Sequence, residues 1–233
     1  MEIPMNLRNA SAFLLSAALI FTVGTSDAEA GKKKKKSDSS EDAAAEMVEI
    51  GETGVSAFDD VFSQVKDIHT TLDEADATIL SAETNLLTAL GAAEGTPLAD
   101  ALSEFTASAG DMVTFEMDGT TPNFSVNPEA PENVTAGVDG IKSAMADIQT
   151  VVDGLTELPA KVTALIDASK SMPGEAPAAL KDAGLSAKEI MPAVKTVKNN
   201  VKATGQTPDR VTNTTATATG FLSTITGAFT SGE

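Results

Sequence analysis

The chain contains one histidine, His69, and the carboxylates Asp73 and Asp76 follow it at intervals of four and three residues. On a helix those intervals put all three side chains along one edge. The chemistry open to such a group is narrow. A zinc site asks for three or four His or Cys ligands, and the sequence has no cysteine and no second histidine. A Ser–His–Asp triad would have to use His69, yet no serine stands in a Gly-x-Ser-x-Gly turn. A half-exposed histidine paired with Asp73 one turn away is the expected arrangement.

Other chemistries find equally little. Phosphate-cradling and dinucleotide-binding glycine loops are absent. Carboxylates are plentiful, but with no Trp or Tyr there is little on which a sugar ring would stack. Asp118-Gly119 opens a loop without the alternating oxygen ligands of a calcium hand. Of the eight methionines, Met112 and Met145 fall on apolar helical faces, where they fill a core. Asn123, Asn133 and Asn213 begin glycosylation triplets, which matter only in a eukaryotic secretory route. The sequence therefore predicts no catalytic residues, no metal ligands, no cofactor and no small-molecule substrate.

The elements around His69 say more. With Phe58 as heptad position a, positions a are Phe58, Val65, Leu72, Ile79, Leu86 and Ala93, and positions d are Val61, Ile68, Ala75, Ala82 and Ala89. All are apolar, while Asp59, Asp60, Asp67, Asp73 and Glu74 fall on the outer face. A seam sustained this long predicts packing between long helices. At 1.5 Å per residue such a helix is about 54 Å long. Its d positions shrink to alanine in the C-terminal half, where the closest helix approach is expected. Leu80, Leu87 and Leu90 widen the apolar face there.

The N-terminus carries an address. Arg8, the apolar run at 10–23 and the small-x-small triplet Ala28-Glu29-Ala30 read as a secretory signal peptide over residues 1–30. No cysteine follows, so the leader is not of the lipoprotein kind. The expected localisation is exported, periplasmic or extracellular. Residues 31–45 hold almost nothing apolar and read as a flexible tail. Within it Lys32, Lys33, Lys34, Lys35 and Lys36 are a candidate contact for a polyanion or an anionic membrane surface. Positive charge behind an apolar segment also resists translocation, so an uncleaved anchor is the competing reading.

Charge is uneven along the rest. Between residues 37 and 140 there are 22 acidic side chains and one base, Lys66, whereas residues 141–233 carry 9 of each sign. Such an acidic half repels nucleic acid, which is excluded as a partner.

Along the chain, a first helix is expected from about Glu46, faltering at Gly51 and Gly54 and running to Ala93. Thr96-Pro97 starts a second, with Leu98, Ala101, Leu102, Phe105, Ala109, Met112 and Val113 on its face. Residues 118–132, with three prolines, read as a loop with room for a short extended piece at 123–126. A third helix begins near Asn133 and kinks at Pro159. Met172-Pro173-Gly174 breaks it, and a short helical piece follows at 177–182. Ser186 and Glu189 form a capping box, and Thr207-Pro208 repeats a cap-then-proline start.

The whole predicts an all-α, elongated antiparallel bundle of about four to five helices with a disordered N-terminal tail: an acidic helical hairpin at 46–117, the loop at 118–132 and a near-neutral helical part at 133–233. The expected function is a non-catalytic structural or protein-interaction role in a cell envelope or the extracellular space, with a protein partner or self-association through the seam. The alternative is a membrane-active or lipid-binding protein, suggested by Phe221, Leu222, Ile225 and Phe229 on one face. The Ala82→Asp substitution tests the seam itself. A charge buried there costs about 3 kcal/mol or more, so thermal melting followed by circular dichroism should drop sharply; an unchanged melt would mean the seam is not buried.

Overall fold

Apolar positions three and four residues apart, with no internal proline, make α1 (Ser56–Ala89) one unbroken helix about 51 Å long. The computed structural model describes residues 49–118 and 121–230. The leader, the flexible tail and the lysine run read from the sequence lie outside those residues. Helix α1 starts later than Glu46, because residues 49–55 make other hydrogen bonds. The Asp59 carboxylate accepts from the Thr53 N–H at 2.7 Å, the Thr53 hydroxyl at 2.8 Å and the Gly54 N–H at 3.2 Å. It also stops before Ala93. Gly91 adopts φ 70°, and the N–H groups of Ala92 and Gly91 return to the carbonyls of Leu87 and Thr88, both at 3.0 Å. This is a Schellman closure, which glycine permits without steric cost.

The second helix, α2 (Leu98–Ala109), ends where Gly110 takes φ 49°. Met112 and Val113 therefore do not extend its face. After a 3₁₀ turn at Gly110–Met112 the chain enters β1 (Val113–Asp118), which pairs antiparallel with β2 (Thr121–Val126), Phe115 opposite Phe124. The expected loop at 118–132 thus gives up its first part to a strand, and the extended piece at 123–126 belongs to it. Val113, Phe115, Phe124 and Val126 are β-branched or aromatic and suit a pleated surface.

The chain then forms α3 (Glu132–Leu155), α4 (Leu158–Ser169) and α5 (Met172–Asp182), with two residues at each break. The prolines expected to kink or break the run, Pro159 and Pro173, sit instead in the first turns of α4 and α5. There a missing N–H costs nothing. The last helix, α6 (Ala187–Thr230), has 44 residues and continues through Pro192 and Pro208. No new helix starts at Thr207, because buried positions step by three and four without interruption from Asn200 to Ile225. At its start the Glu189 carboxylate accepts from the Ser186 N–H at 2.8 Å and the Ser186 hydroxyl at 2.6 Å.

These elements are all-α apart from the hairpin, and the described residues all belong to one compact unit. Ala89 of α1 lies beside Gly140 of α3, while Phe58 and Phe62 cluster with Met172 and Ala176 of α5. As α1 is read backwards its neighbours advance, so the segmented rod α3–α4–α5 runs antiparallel to it. Helix α6 meets α1 through His69–Thr207 and Asp76–Thr214, so these two run parallel. The result is three rods, up, down and up, with α2 and the hairpin at one end. The rings of Phe115, Phe124 and Phe229 pin the hairpin to the end of α6, with centroids 5.0 to 5.5 Å apart.

Helix α3 approaches closely at two glycines. A Cβ on Gly140 would overlap Ala89, and one on Gly137 would overlap the ring of Phe105. At these points α3 presents bare backbone to the Ala89 methyl of α1 and to the Phe105 ring of α2. Gly140→Ala should therefore destabilise the protein by about 1–3 kcal/mol through overpacking. Chemical denaturation reads the change. A stability equal to or above that of the parent would show that α3 can shift away from α1 freely.

Candidate functional site

Of the seam residues in α1, Phe58, Val65, Ile68, Leu72, Ala75, Ile79, Ala82 and Leu86 are buried, while Val61 and Ala89 are half-buried. Ala93 lies beyond the helix and is exposed, and Phe62, off the heptad pattern, is buried. The extra face differs by residue. Leu87 and Leu90 pack against the core, but Leu80 is 65% exposed. The seam closes within the chain, against α3, α4, α5 and α6. Met145 packs against the core, while Met112 is left exposed after α2 ends early.

The edge carrying His69, Asp73 and Asp76 faces α6. His69 does not pair with Asp73; its Nε2 lies 2.9 Å from the hydroxyl of Thr207. Thr207 spends its own proton on the Ala203 carbonyl at 3.1 Å. Nε2 must therefore carry the hydrogen and donate it. Asp73 instead receives Arg210, which lies within 3.6 Å of Asp76 as well. The other oxygen of Asp76 accepts from the Thr214 hydroxyl at 2.9 Å. Three residues of α1 and three of α6 thus form a polar ladder beside the apolar seam.

This ladder resembles a nucleophile–base pair only on paper. The Thr207 hydroxyl is buried and already committed to a carbonyl, so no substrate reaches it. What the ladder can do is fix the register of two parallel helices. Each rung pairs residues about 138 apart, so a slip by one turn breaks all of them. Among the described residues no group of three or more His, Asp or Glu side chains is placed to hold a metal ion.

A second polar clamp holds the segment before α1. Asn200, fully buried in α6, accepts from the Gly51 N–H at 3.1 Å and donates to the Gly51 carbonyl at 2.7 Å. The sequence reading missed Asn200, Thr204, Thr207, Arg210 and Thr214. A signal for them existed: their three-and-four spacing continues into Ala218, Phe221 and Ile225. It was hidden because threonine counts as polar, although its shape is close to that of valine.

At the hairpin end lies an open cavity of about 980 Å³. Its wall includes Phe115 and Phe229, and the last turns of α2 and α6 border it. The lysine run, the other candidate contact, lies outside the described residues.

His69 makes the ladder sensitive to pH. Burial, and then the nearby Arg210 charge, push its pKa below the ordinary 6.5, with Asp73 opposing them. The folded state therefore favours the neutral ring. Its contribution is complete above pH 6.5 and is lost as pH falls from there through the lowered folded value. Melting temperature should fall between pH 7.5 and 5.5, and His69→Gln, which keeps a donor for Thr207, should flatten that fall. An identical slope in the variant would remove His69 as its cause.

Compared with family profiles, with curated proteins and with solved structures, the chain matches none.

Proposed function

We propose that this protein is an exported, non-catalytic helical spacer or adaptor with a structural or protein-interaction role in a cell envelope or the extracellular space. The observation that supports this reading is the closure of the apolar seam within one chain. Lipid-active bundles keep an apolar face that opens onto a bilayer. Here the face suggested for that purpose is engaged: Phe221 and Ile225 are buried, and Leu222 and Phe229 pack against the core. The large apolar side chains exposed among the described residues, Leu80, Met112 and Met191, are spread over three elements rather than gathered in a patch. No helix among the described residues is long and apolar enough to cross a membrane.

The partner in this reading meets a surface rich in carboxylates. A basic protein suits the acidic residues 37–140 better than nucleic acid does. The leader at 1–30 supplies the address, and the lysine run supplies at most a weak, salt-sensitive hold on an anionic surface.

Flotation with liposomes tests the reading. Protein from Gly31 onward should stay with the soluble fraction on neutral vesicles. Any binding to anionic vesicles should vanish at moderate salt, tracing it to the lysine run. Flotation that survives salt on both kinds of vesicle would overturn the spacer reading in favour of a membrane-active protein.

A further inference from the structure

The cavity at the hairpin end combines two features that the proposed role does not use. The first is the direction of the helices around it. The last turns of α2 and α6 both border the cavity, through Thr106 and Ala107 on one side and Phe229 and Thr230 on the other. A helix C-terminus carries roughly half a negative charge, normally offset by Lys or Arg in the last turn. Neither α2 nor α6 has a basic residue in its last turn. Two helix ends without a basic residue in their last turns therefore border one opening, and Asp111 adds a carboxylate to the same lining.

The second feature is the absence of balancing cations in the sequence of this end. Residues 83–141, which supply the end of α1, all of α2, the hairpin and the start of α3, contain no Lys or Arg. Residues 211–230 of α6 contain no charged residue at all. The one charged side chain of the lining, Asp111, is thus acidic, and the wall is partly apolar, with the rings of Phe115 and Phe229 stacked 5.5 Å apart. A bare metal ion is a poor match, since one carboxylate lines the site where hard cations want several oxygen ligands. A cation with an apolar body fits both features: the charge toward Asp111 and the helix ends, the body against the rings.

The geometry points to this cavity as a binding site for an alkylammonium group. The group comes from a free amine or from a lysine side chain of a peptide, since both present the same ammonium on a methylene stem.

Titration of the intact exported protein with n-hexylammonium, followed by amide NMR, tests the site. Hexanoate serves as the charge-reversed control, and an acetylated lysine-containing peptide is the second arm. Saturable shifts centred on Thr106, Asp111, Phe115 and Phe229, seen with hexylammonium and not with hexanoate, are expected. Asp111→Asn should weaken binding about two- to fivefold, the effect of one partly exposed charge. Ala107→Lys puts a cation in the mouth of the cavity at an exposed position, so it should abolish binding while leaving the melting temperature unchanged. Tighter binding of hexylammonium assigns a free amine, and tighter binding of the peptide assigns a lysine side chain. Equal shifts with hexanoate, the absence of saturable shifts, or undiminished binding by a folded Ala107→Lys protein would overturn the site.

Discussion

Threonine hydroxyls buried between α1 and α6 set the condition that the rest of the bundle must meet. Thr204, Thr207 and Thr214 lie in the packed face of α6 at 1 to 3% exposure. A hydroxyl left there without a partner costs roughly 1–3 kcal/mol. Thr204 and Thr207 return their protons to the carbonyls four residues back, and Thr214 gives its proton to Asp76 of α1. Among the described residues no buried side-chain nitrogen or oxygen lacks a partner. Two of these solutions are local and tolerate any neighbour. The Thr214–Asp76 and His69–Thr207 bonds are not, and they pick out one register of α1 against α6 from the many that small side chains would accept. The α6 face from Ala203 to Ala218 is built of Ala, Val and Thr, whose similar small shapes discriminate poorly against a one-turn slip, so directional bonds carry the specificity that bulk does not.

The parallel pairing of α1 and α6 follows from chain economy. Parallel neighbours need a return path, and α3, α4 and α5 provide it as one rod with two short breaks. The breaks take two residues each, and prolines in the first turns of α4 and α5 cost no hydrogen bond. At the far end the chain must cross from α1 to α3, and α2 with the hairpin occupies that crossing. Three phenylalanines join there in mutual ring contact, in a chain with only 4% aromatic residues. Their position couples the crossing to the last turn of α6, so the two ends of the described chain order are fastened by different means: Asn200 on Gly51 at one, stacked rings at the other.

The charges divide along the same axis. Lys181 belongs to α5, and Lys188, Lys195, Lys198 and Lys202 to the first half of α6. The opposite end is built from stretches without a base. Little of this charge is spent on folding. Among the described residues the ion pairs outside the ladder, Lys161–Glu157 and Lys170–Asp167, are exposed and join neighbours at the two ends of α4. Such pairs contribute at most a few tenths of a kcal/mol each. The charge asymmetry is therefore available for recognition, which is where a long-range field acts.

What the sequence determined by itself was whatever depends on local spacing. The helical class, the apolar face of α1, the Ser186–Glu189 cap and the breaks near glycine follow from neighbours a few residues apart, and their energetics are short-ranged. The identity of the chain's polar contacts was not legible. Asp73 stood one turn from His69 and was the natural local partner, yet Arg210, distant in sequence, took it because a guanidinium offers a carboxylate a better-matched donor set than a neutral ring does. Val113 looked like the tail of a helix and became a strand, because a second extended segment stood ready to pair with it. Pro208 looked like a beginning and became an interior residue, because packing on both sides of it outweighed one missing backbone bond. Only the tertiary structure decided these, since each compares a local preference with a contact whose other half lies far along the chain.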